Sequence, residues 1–226
     1  MNSSTLFVIP ARAGSKGVPN KNKRLLSGKP LIAYTIEEAL KVISNEHICV
    51  STDDEEVITF ANKMGLEVPF VRPEALAQDD STSRDVLLHA IDFYASMGKF
   101  YERVVMLQPT SPLRKSEDIL GALALFNDEV DCVLSVVETK SNPYYVLFEE
   151  GEEGYLKKSK KGFFQRRQDC PAVYELNGAV YVIRVDALKQ KEITLMDRIV
   201  KFEMSELRSI DIDTELDFKI AEFLLN

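Results

Sequence analysis

The chain has 226 residues, 45% of them hydrophobic, which is enough apolar material for one domain to bury a full core. Its 28 Lys and Arg against 36 Asp and Glu give a net charge of −8, which argues against nucleic acid or an anionic membrane as the main partner. Three cysteines without metal-ligand spacing are typical of reduced thiols. Residues 1–6 lack the features of a signal peptide and no apolar run is long enough to cross a bilayer, so we expect a cytoplasmic protein.

Short apolar runs alternate with helical patterns along the chain. Strands are predicted over residues 6–9, 48–50, 68–71, 104–107, 132–137 and 178–185. Helices are predicted over residues 32–43, 56–64, 86–94, 119–126 and 216–224. Asp53 or Asp54 is expected to begin the second helix, Ser83 the third and Ser116 the fourth. The alternation predicts an α/β fold in three layers, with helices on both faces of an open, mostly parallel twisted sheet.

The first strand runs into a loop that is rich in glycine and positive charge. The loop contains Gly14, Gly17, Arg12, Lys16, Lys21 and Lys23. Glycines let backbone N–H groups approach a ligand closely, and the cations around them predict a polyanion, for which a nucleoside triphosphate is the natural candidate. The loop is not a Walker A motif, because Lys16 is followed by Gly17, and it lacks the glycine spacing of a dinucleotide fingerprint. The alternative interpretation is a solvated, lysine-rich turn.

An acidic pair near the end of the chain complements this loop. Asp211 and Asp213 flank one apolar residue, so both carboxylates project to the same side if residues 209–212 are extended. Paired carboxylates beside a triphosphate predict Mg²⁺, which shares its coordination with phosphate oxygens and water. Asp213 also precedes a helical pattern and could be an N-cap instead.

Ligands of open α/β sheets bind beyond the carboxyl ends of the strands. Polar segments follow the predicted strands at residues 12–23, 51–54, 72–83, 108–114 and 211–213. The alternation of strands and helices stops over residues 138–167, which are polar and rich in lysine. We therefore expect a single domain over residues 1–226 with an excursion from its main sheet.

Four stretches in this order resemble the N-acylneuraminate cytidylyltransferases. They read PARAGSKGVPNKN, LQPTSPLR, ELNGAVYVI and SIDIDTELD. The resemblance implies a Rossmann-like nucleotidyltransferase fold and a Mg²⁺-dependent reaction, in which CMP passes from CTP to the anomeric hydroxyl of a nine-carbon 2-keto sugar acid and pyrophosphate leaves. It also implies that residues 138–167 are a dimerisation arm that reaches the partner's active site, so a homodimer is expected.

The same resemblance assigns roles to individual residues. It assigns nucleotide binding to Arg12, Ser15, Lys16, Lys21, Asn22, Arg72 and Ser83. It assigns the sugar acid to Gln108, Arg167 and Asn177, and the metal to Asp211 and Asp213. The catalytic candidates are Arg12, Lys21 and Asp211, with Asp211 helping to deprotonate the attacking hydroxyl.

Two positions depart from the pattern of the family. Glu175 stands where members acting on ordinary sialic acid often carry arginine, and Tyr145 stands where a lysine is expected. Both changes remove positive charge near a carboxylated sugar, which makes legionaminic acid the leading alternative acceptor, ahead of pseudaminic acid and the eight-carbon Kdo. Two interpretations from other classes are a nucleotide-sugar-dependent glycosyltransferase and a catalytically silent, nucleotide-binding regulator.

Overall fold

A six-stranded sheet forms the centre of the computed structural model, which describes residues 4–226. The first three residues, part of the segment considered for a signal peptide, lie outside the described residues. The strands in chain order are β1 (Thr5–Pro10), β2 (Leu25–Leu26), β3 (Lys29–Pro30), β4 (Ile48–Ser51), β5 (Arg103–Met106), β6 (Cys132–Glu138), β7 (Phe148–Glu150), β8 (Leu156–Lys158), β9 (Tyr174–Arg184) and β10 (Ile199–Glu203). The order across the central sheet is β10-β6-β9-β5-β1-β4.

Five of the six central strands run parallel to one another. The pairs β1–β4, β1–β5 and β10–β6 are parallel, whereas β9 is antiparallel to both of its neighbours, β5 and β6. The start of β9 therefore lies at the same edge of the sheet as the carboxyl ends of the other five strands. This arrangement confirms the mostly parallel sheet expected from the sequence.

Helices cover both faces of the sheet. They are α1 (Leu31–Leu40), α2 (Glu55–Lys63), α3 (Ser83–Ser96), α4 (Ser116–Leu125), α5 (Val185–Gln190) and α6 (Glu215–Leu225). One core contains buried residues of α1, α2 and α4 with one face of the strands, and the other contains residues of α3 and α5 with the opposite face. A smaller cluster joins α6 to Val18, Leu26 and Ile212. The three-layer α/β architecture is thus confirmed.

The helix starts differ in detail from the sequence predictions. Asp54 caps α2, because its carboxylate accepts hydrogen bonds from the backbone N–H groups of Glu56 and Val57. Ser83 and Ser116 are the first helical residues, and the N-cap positions belong to Thr82 and Lys115. The hydroxyl of Thr82 can accept a bond from the helix, so it takes the cap one residue earlier than expected.

The predicted strand over residues 68–71 is wrong. This segment has no regular secondary structure, and β4 is the edge of the central sheet. Pro69 removes a backbone donor, and the Val71 side chain is exposed rather than packed on a helix. The segment instead leads to Arg72, whose backbone N–H donates to the Thr52 carbonyl at 2.8 Å.

The polar excursion leaves the central sheet as expected. Within it, β7 and β8 form a two-stranded antiparallel hairpin that does not join the six-stranded sheet. The chain returns through a 3₁₀ helix, Arg167–Asp169, and enters β9 at Tyr174, four residues before the predicted start. Among the described residues, none of the helices has the length and apolar character needed to cross a membrane.

Candidate active site

Residues in the left-handed backbone region and hydrogen bonds to main-chain atoms of the loop fix the path of the loop after β1. Gly14 has φ +70° and Asn20 has φ +54°. The buried amide of Asn22 donates to the Arg12 carbonyl at 3.0 Å, and Asp53 accepts from the Ala13 N–H at 2.8 Å. The loop therefore has a fixed path before any ligand binds, and Asn22 contributes to that path.

Three of the four loop cations border one cavity of about 490 Å³, which we name the cation cavity. Its wall includes Arg12, Ser15, Lys16, Lys21 and Asn22. The expectation that Lys23 adds its charge to this space is wrong. Its ammonium instead pairs with Asp54 at 3.1 Å and Glu56 at 2.8 Å beside α2.

Asp79 neutralises part of the positive charge of the loop after β1. Its carboxylate pairs with Arg12 at 2.7 Å and also with the ammonium of Lys16. These two partners, Lys16 first, hold the pKa of Asp79 below its ordinary value. No local pattern in the sequence links Asp79 to the loop after β1.

The acidic pair borders the far side of the cation cavity. Asp211 is largely buried, and its Oδ1 has no hydrogen-bond partner among the described residues, whereas Asp213 is mostly exposed. Burial raises the pKa of Asp211; a hydrogen bond from Thr110 opposes this rise, and the charge of Asp213 adds to it. A cation at this carboxylate would favour its ionised form.

Asp213 is not the N-cap of α6. Thr214 takes that position and forms a reciprocal capping box with Asp217. The segment before it is also less extended than predicted, because Ser209 belongs to a 3₁₀ helix, Glu206–Ser209. Lys21 ties the segment to the cationic loop, donating to the Ile212 carbonyl at 2.6 Å and lying 3.4 Å from Asp213. Asp211 and Asp213 nevertheless both border the cation cavity.

The acidic pair fits Mg²⁺ as part of a shared site. Residues 4–226 contain no group of three or more His, Cys, Asp or Glu side chains arranged to hold a metal. Mg²⁺ needs only one or two protein carboxylates when phosphate oxygens and water complete its shell. The orphaned Oδ1 of Asp211, beside the Asp213 carboxylate, matches that requirement.

Arg72 and Ser83, two of the residues assigned to nucleotide binding, border a second cavity of about 190 Å³, the Arg72 cavity. Its wall includes Arg72, Thr82 and Ser83, and it shares Pro10 and Arg12 with the cation cavity. The guanidinium of Arg72 is buried and donates to the hydroxyl and carbonyl of Ser51. Burial lowers the pKa of Arg72 to about 10.

The loop after β5 is held from beneath by Arg114. Its guanidinium is fully buried and donates to the carbonyls of Gln108 at 3.0 Å and Ala179 at 2.8 Å. Burial lowers the pKa of Arg114 to about 10. The Arg114 side chain therefore points inward and fixes the path of the loop.

A third cavity, the acidic cavity, has a volume of about 510 Å³ and shares Asp211 and Asp213 with the cation cavity. Its wall includes Asn177, assigned to the sugar acid. The Asn177 amide is buried, accepts from Ser135 Oγ at 2.6 Å and donates to Ser209 Oγ at 2.9 Å. It therefore joins β6 and β9 to the segment before Asp211.

The other two residues assigned to the sugar acid are placed differently. Gln108 borders the cation cavity, and its Oε1 lies over Gly178 so closely that a Cβ there would be 2.1 Å away. The sequence reasoning missed this contact, although a glycine inside a strand pattern is a signal of close approach. Arg167 is exposed on its 3₁₀ helix and borders none of the three cavities of its own chain.

The three cavities form a row along the carboxyl edge of the sheet, linked through Arg12 and through the acidic pair. A parallel α/β sheet with a cation-lined, glycine-containing loop and a carboxylate pair at this edge defines an enzyme that handles nucleoside phosphates.

Comparisons with known proteins narrow this class. A family model described as Cytidylyltransferase matches residues 6–222. The chain is 37% identical over 226 residues to a CMP-N,N'-diacetyllegionaminic acid synthase of Campylobacter jejuni, covering 98% of this chain and 94% of that protein. It is 36% identical over 218 residues to an N-acylneuraminate cytidylyltransferase of Streptococcus agalactiae, covering 94% of this chain and 51% of that one.

A solved structure shares the fold. A CMP:2-keto-3-deoxy-manno-octonic acid synthetase complexed with CTP superposes with a TM-score of 0.71 at 19% identity, covering 98% of both chains. The chain belongs to the cytidylyltransferase family, so it is a nucleotidyltransferase, and the resemblance to N-acylneuraminate cytidylyltransferases is confirmed. Membership of this family favours an enzyme that consumes a nucleoside triphosphate over the glycosyltransferase and regulator interpretations.

Proposed function

We propose that this protein transfers CMP from CTP to the anomeric hydroxyl of a nine-carbon 2-keto sugar acid and releases pyrophosphate. The observation that carries the proposal is the position of Asp211 and Asp213 in the walls of two cavities. A triphosphate in the cation cavity and a sugar acid in the acidic cavity would meet at this carboxylate pair.

The residues at this junction suit an in-line transfer. The sugar oxygen forms a bond to the α-phosphorus as the bond to the β-phosphate oxygen breaks, and pyrophosphate leaves toward Arg12, Lys16 and Lys21. Negative charge moves onto phosphate oxygens, so positioning and electrostatic stabilisation lower the barrier. Arg72 and Ser83 would hold the cytosine, with Ser15 and Asn22 in the cradle of the phosphates. Gln108, with Asn177 behind it, would orient the sugar.

Asp211 and Asp213 are our candidates to hold Mg²⁺, the proposed cofactor. When bound, the ion would screen the charge on the phosphate groups and orient them. Asp211 is also the candidate to accept the proton of the attacking hydroxyl, since it lies where the two cavities meet. We expect Asp211→Ala to reduce turnover at least 100-fold, since general acid–base catalysis typically contributes about 100- to 10,000-fold. Near-normal turnover of this variant at saturating Mg²⁺ would remove both roles.

We also propose a homodimer in which residues 138–167 of each chain reach the acidic cavity of the other. This segment carries exposed apolar side chains, including Phe163 at 85% and Leu156 at 67% exposure, which are unfavourable in water. Its Lys and Arg residues complement the acidic wall of the cavity. Arg167, which borders none of the three cavities in its own chain, would then act on the partner's substrate. Light scattering that shows an active monomer at micromolar concentration would contradict this arrangement.

We propose that the acceptor is N-acetylneuraminic acid or a close relative of it. Legionaminic acid is the alternative acceptor, and one observation on the acidic cavity favours it. Glu175, the residue that departs from the sialic acid pattern, lies in the wall of the acidic cavity. Tyr145 is not among the residues that line it. The relative from Campylobacter jejuni named above adds support for a legionaminic acid.

The test is release of pyrophosphate by the purified protein with CTP and Mg²⁺. N-acetylneuraminic, di-N-acetyllegionaminic, pseudaminic and Kdo acids are compared at equal concentration, with CTP alone as the blank. Release with a nine-carbon acid is the expected result. Faster release with legionaminic acid would give Glu175 a role in specificity. Binding of CTP without release for any acid would overturn the proposed reaction.

A further inference from the structure

The side-chain amide of Asn177 is buried in β9, and each of its hydrogen-bonding groups has a partner. Its Oδ1 accepts from the Ser135 hydroxyl at 2.6 Å and from the Ala179 N–H at 3.2 Å. Its Nδ2 donates to Ser209 Oγ at 2.9 Å and lies 3.4 Å from Met204 Sδ. A primary amide has two donors and two acceptor positions, and all four are used here. The amide is therefore fixed in one orientation, and it fixes its neighbours in turn.

Ser135 is the interior end of this network. It lies in β6, is fully buried and borders none of the three cavities. Its oxygen also accepts from the Val180 N–H at 2.8 Å, so the hydroxyl proton is available for Asn177 Oδ1. A hydroxyl in a buried, otherwise apolar strand is unfavourable unless it is hydrogen-bonded. Ser135 thus meets both of its bonding needs through β9.

Ser209 is the end of the network that lies near the acidic pair. It is the last residue of the 3₁₀ helix that precedes the pair, and Asp211 follows two positions later. Beyond Asp211, the Ile212 N–H donates to the Thr110 carbonyl at 2.9 Å. The backbone around Asp211 is therefore held on one side by Asn177, through Ser209, and on the other side by the loop after β5.

We propose that Ser135 and Ser209 are positioning residues, which act through Asn177 to fix where the Asp211 carboxylate lies relative to the phosphates. This inference rests on the proposed function, because it takes Asp211 to act on the reacting groups. A displacement of about 1 Å in such a group can cost roughly 100-fold in rate. A hydroxyl inside the sheet, remote from both substrates, would therefore control turnover at the carboxyl edge.

The experiment is steady-state kinetics with the best acceptor from the pyrophosphate assay. Ser135→Ala is expected to lower kcat roughly 10- to 100-fold, because the amide loses the partner that orients it. The KM for CTP should stay within about twofold of wild type, because Ser135 borders neither the cation cavity nor the Arg72 cavity.

Val133→Ala is the matched control. Val133 is also fully buried in β6, and its side chain has no hydrogen-bonding group, so the substitution lowers stability without touching the network. This variant should keep the kcat of wild type. Equal losses of kcat in Val133→Ala and Ser135→Ala would show that general destabilisation explains the effect, and they would overturn the positioning role.

The other end of the network is tested at Ser209. Ser209→Ala should lower kcat, whereas Ser209→Thr keeps the hydroxyl and should retain most of the activity. Because Ser209 also borders the acidic cavity, the double variant of Ser135→Ala and Ser209→Ala separates the two kinds of effect. If both residues act through Asn177, the double variant should have about the kcat of the slower single variant. Losses that multiply would mean independent roles and would contradict the proposal.

Hydrogen exchange gives a readout that needs no activity. The backbone amides of residues 205–213 should exchange faster in Ser135→Ala than in wild type, and they should be unchanged in Val133→Ala, since such segments exchange by local opening. If wild type releases no pyrophosphate with any sugar acid, the proposed function fails and the catalytic role of Ser135 fails with it. If wild type turns over and Ser135→Ala keeps its kcat and its exchange pattern, the positioning role alone is overturned.

Discussion

Asp79 occupies the position of an internal counter-ion for the cationic loop. Its carboxylate bonds the side chains of Arg12 and Lys16, the groups expected to meet phosphate oxygens. Because Lys16 and Arg12 hold its pKa below the ordinary value, Asp79 stays ionised throughout the neutral range. A polyanionic ligand must therefore displace it to reach both cations.

Asp79→Asn is expected to bind inorganic pyrophosphate roughly three- to tenfold more tightly than wild type, because the competing exposed charge is gone. Titration calorimetry measures the dissociation constant. Asp80→Asn is the control, since it removes the same charge from the next residue, which makes no ion pair within residues 4–226. Weaker binding by Asp79→Asn would instead mean that Asp79 orients the two cations.

Arg114 stabilises the loop after β5 from the interior of the protein. Arg114→Met removes the donor to the Gln108 and Ala179 carbonyls, and leaving buried acceptors unpaired should lower the free energy of unfolding by about 2–4 kcal/mol. Urea denaturation tests this expectation. Lys191→Met provides the contrast, because Lys191 pairs with Asp197 at the surface and its loss should cost at most about 1 kcal/mol. Equal effects of the two substitutions would contradict the role given to Arg114.

At the scale of elements, the antiparallel strand β9 brings its first residues to the edge where the other strands end. Gly178 makes this approach possible, since its φ of +68° is in the left-handed region and a Cβ would strike Gln108. The loops that form the site follow the five parallel strands. Gly178 of β9 lies against Gln108 in the loop after β5.

Gly178→Ala is expected to lose at least tenfold in kcat/KM for the acceptor, because the methyl group displaces the Gln108 side chain. Binding of CTP should persist. Gly98→Ala is a matched control, since Gly98 also has a left-handed φ, +77°, but a Cβ there meets nothing within 4 Å. Both variants should lose about 1 kcal/mol of stability from backbone strain, so unequal activities at similar stability would identify the contact. Full activity of Gly178→Ala would show that the Gln108 position is not needed.

At the scale of the whole molecule, the hairpin formed by β7 and β8 projects from the central sheet with apolar groups exposed. If residues 138–167 complete the partner's site, variants impaired in the body and in the arm should complement each other. We expect a refolded equimolar mixture of Asp211→Ala and Arg167→Ala to recover about one quarter of wild-type activity, because half of the dimers would be mixed and each would hold one intact site. No recovery above the separate variants would mean that Arg167 does not act across the interface.

Local patterns predicted much of this molecule. Apolar runs, helical spacing and the glycine- and cation-rich loop indicated the layers, most of the elements and the edge that carries the site, because each depends on neighbours in the sequence. The segment 68–71 shows the limit of such patterns: its residues resemble a strand, yet Pro69 and an exposed Val71 leave it outside the sheet.

The sequence by itself determined the α/β class, the cationic loop and the presence of a carboxylate pair, since these depend on residue type and short spacing. Only the tertiary structure decided which charges meet. Lys23 pairs with Asp54, Arg12 pairs with Asp79 and Lys140 pairs with Glu206. The two members of each pair are 31 to 67 positions apart in the chain. Ion pairs between distant segments depend on how the elements pack, and no local pattern in the sequence encodes that geometry.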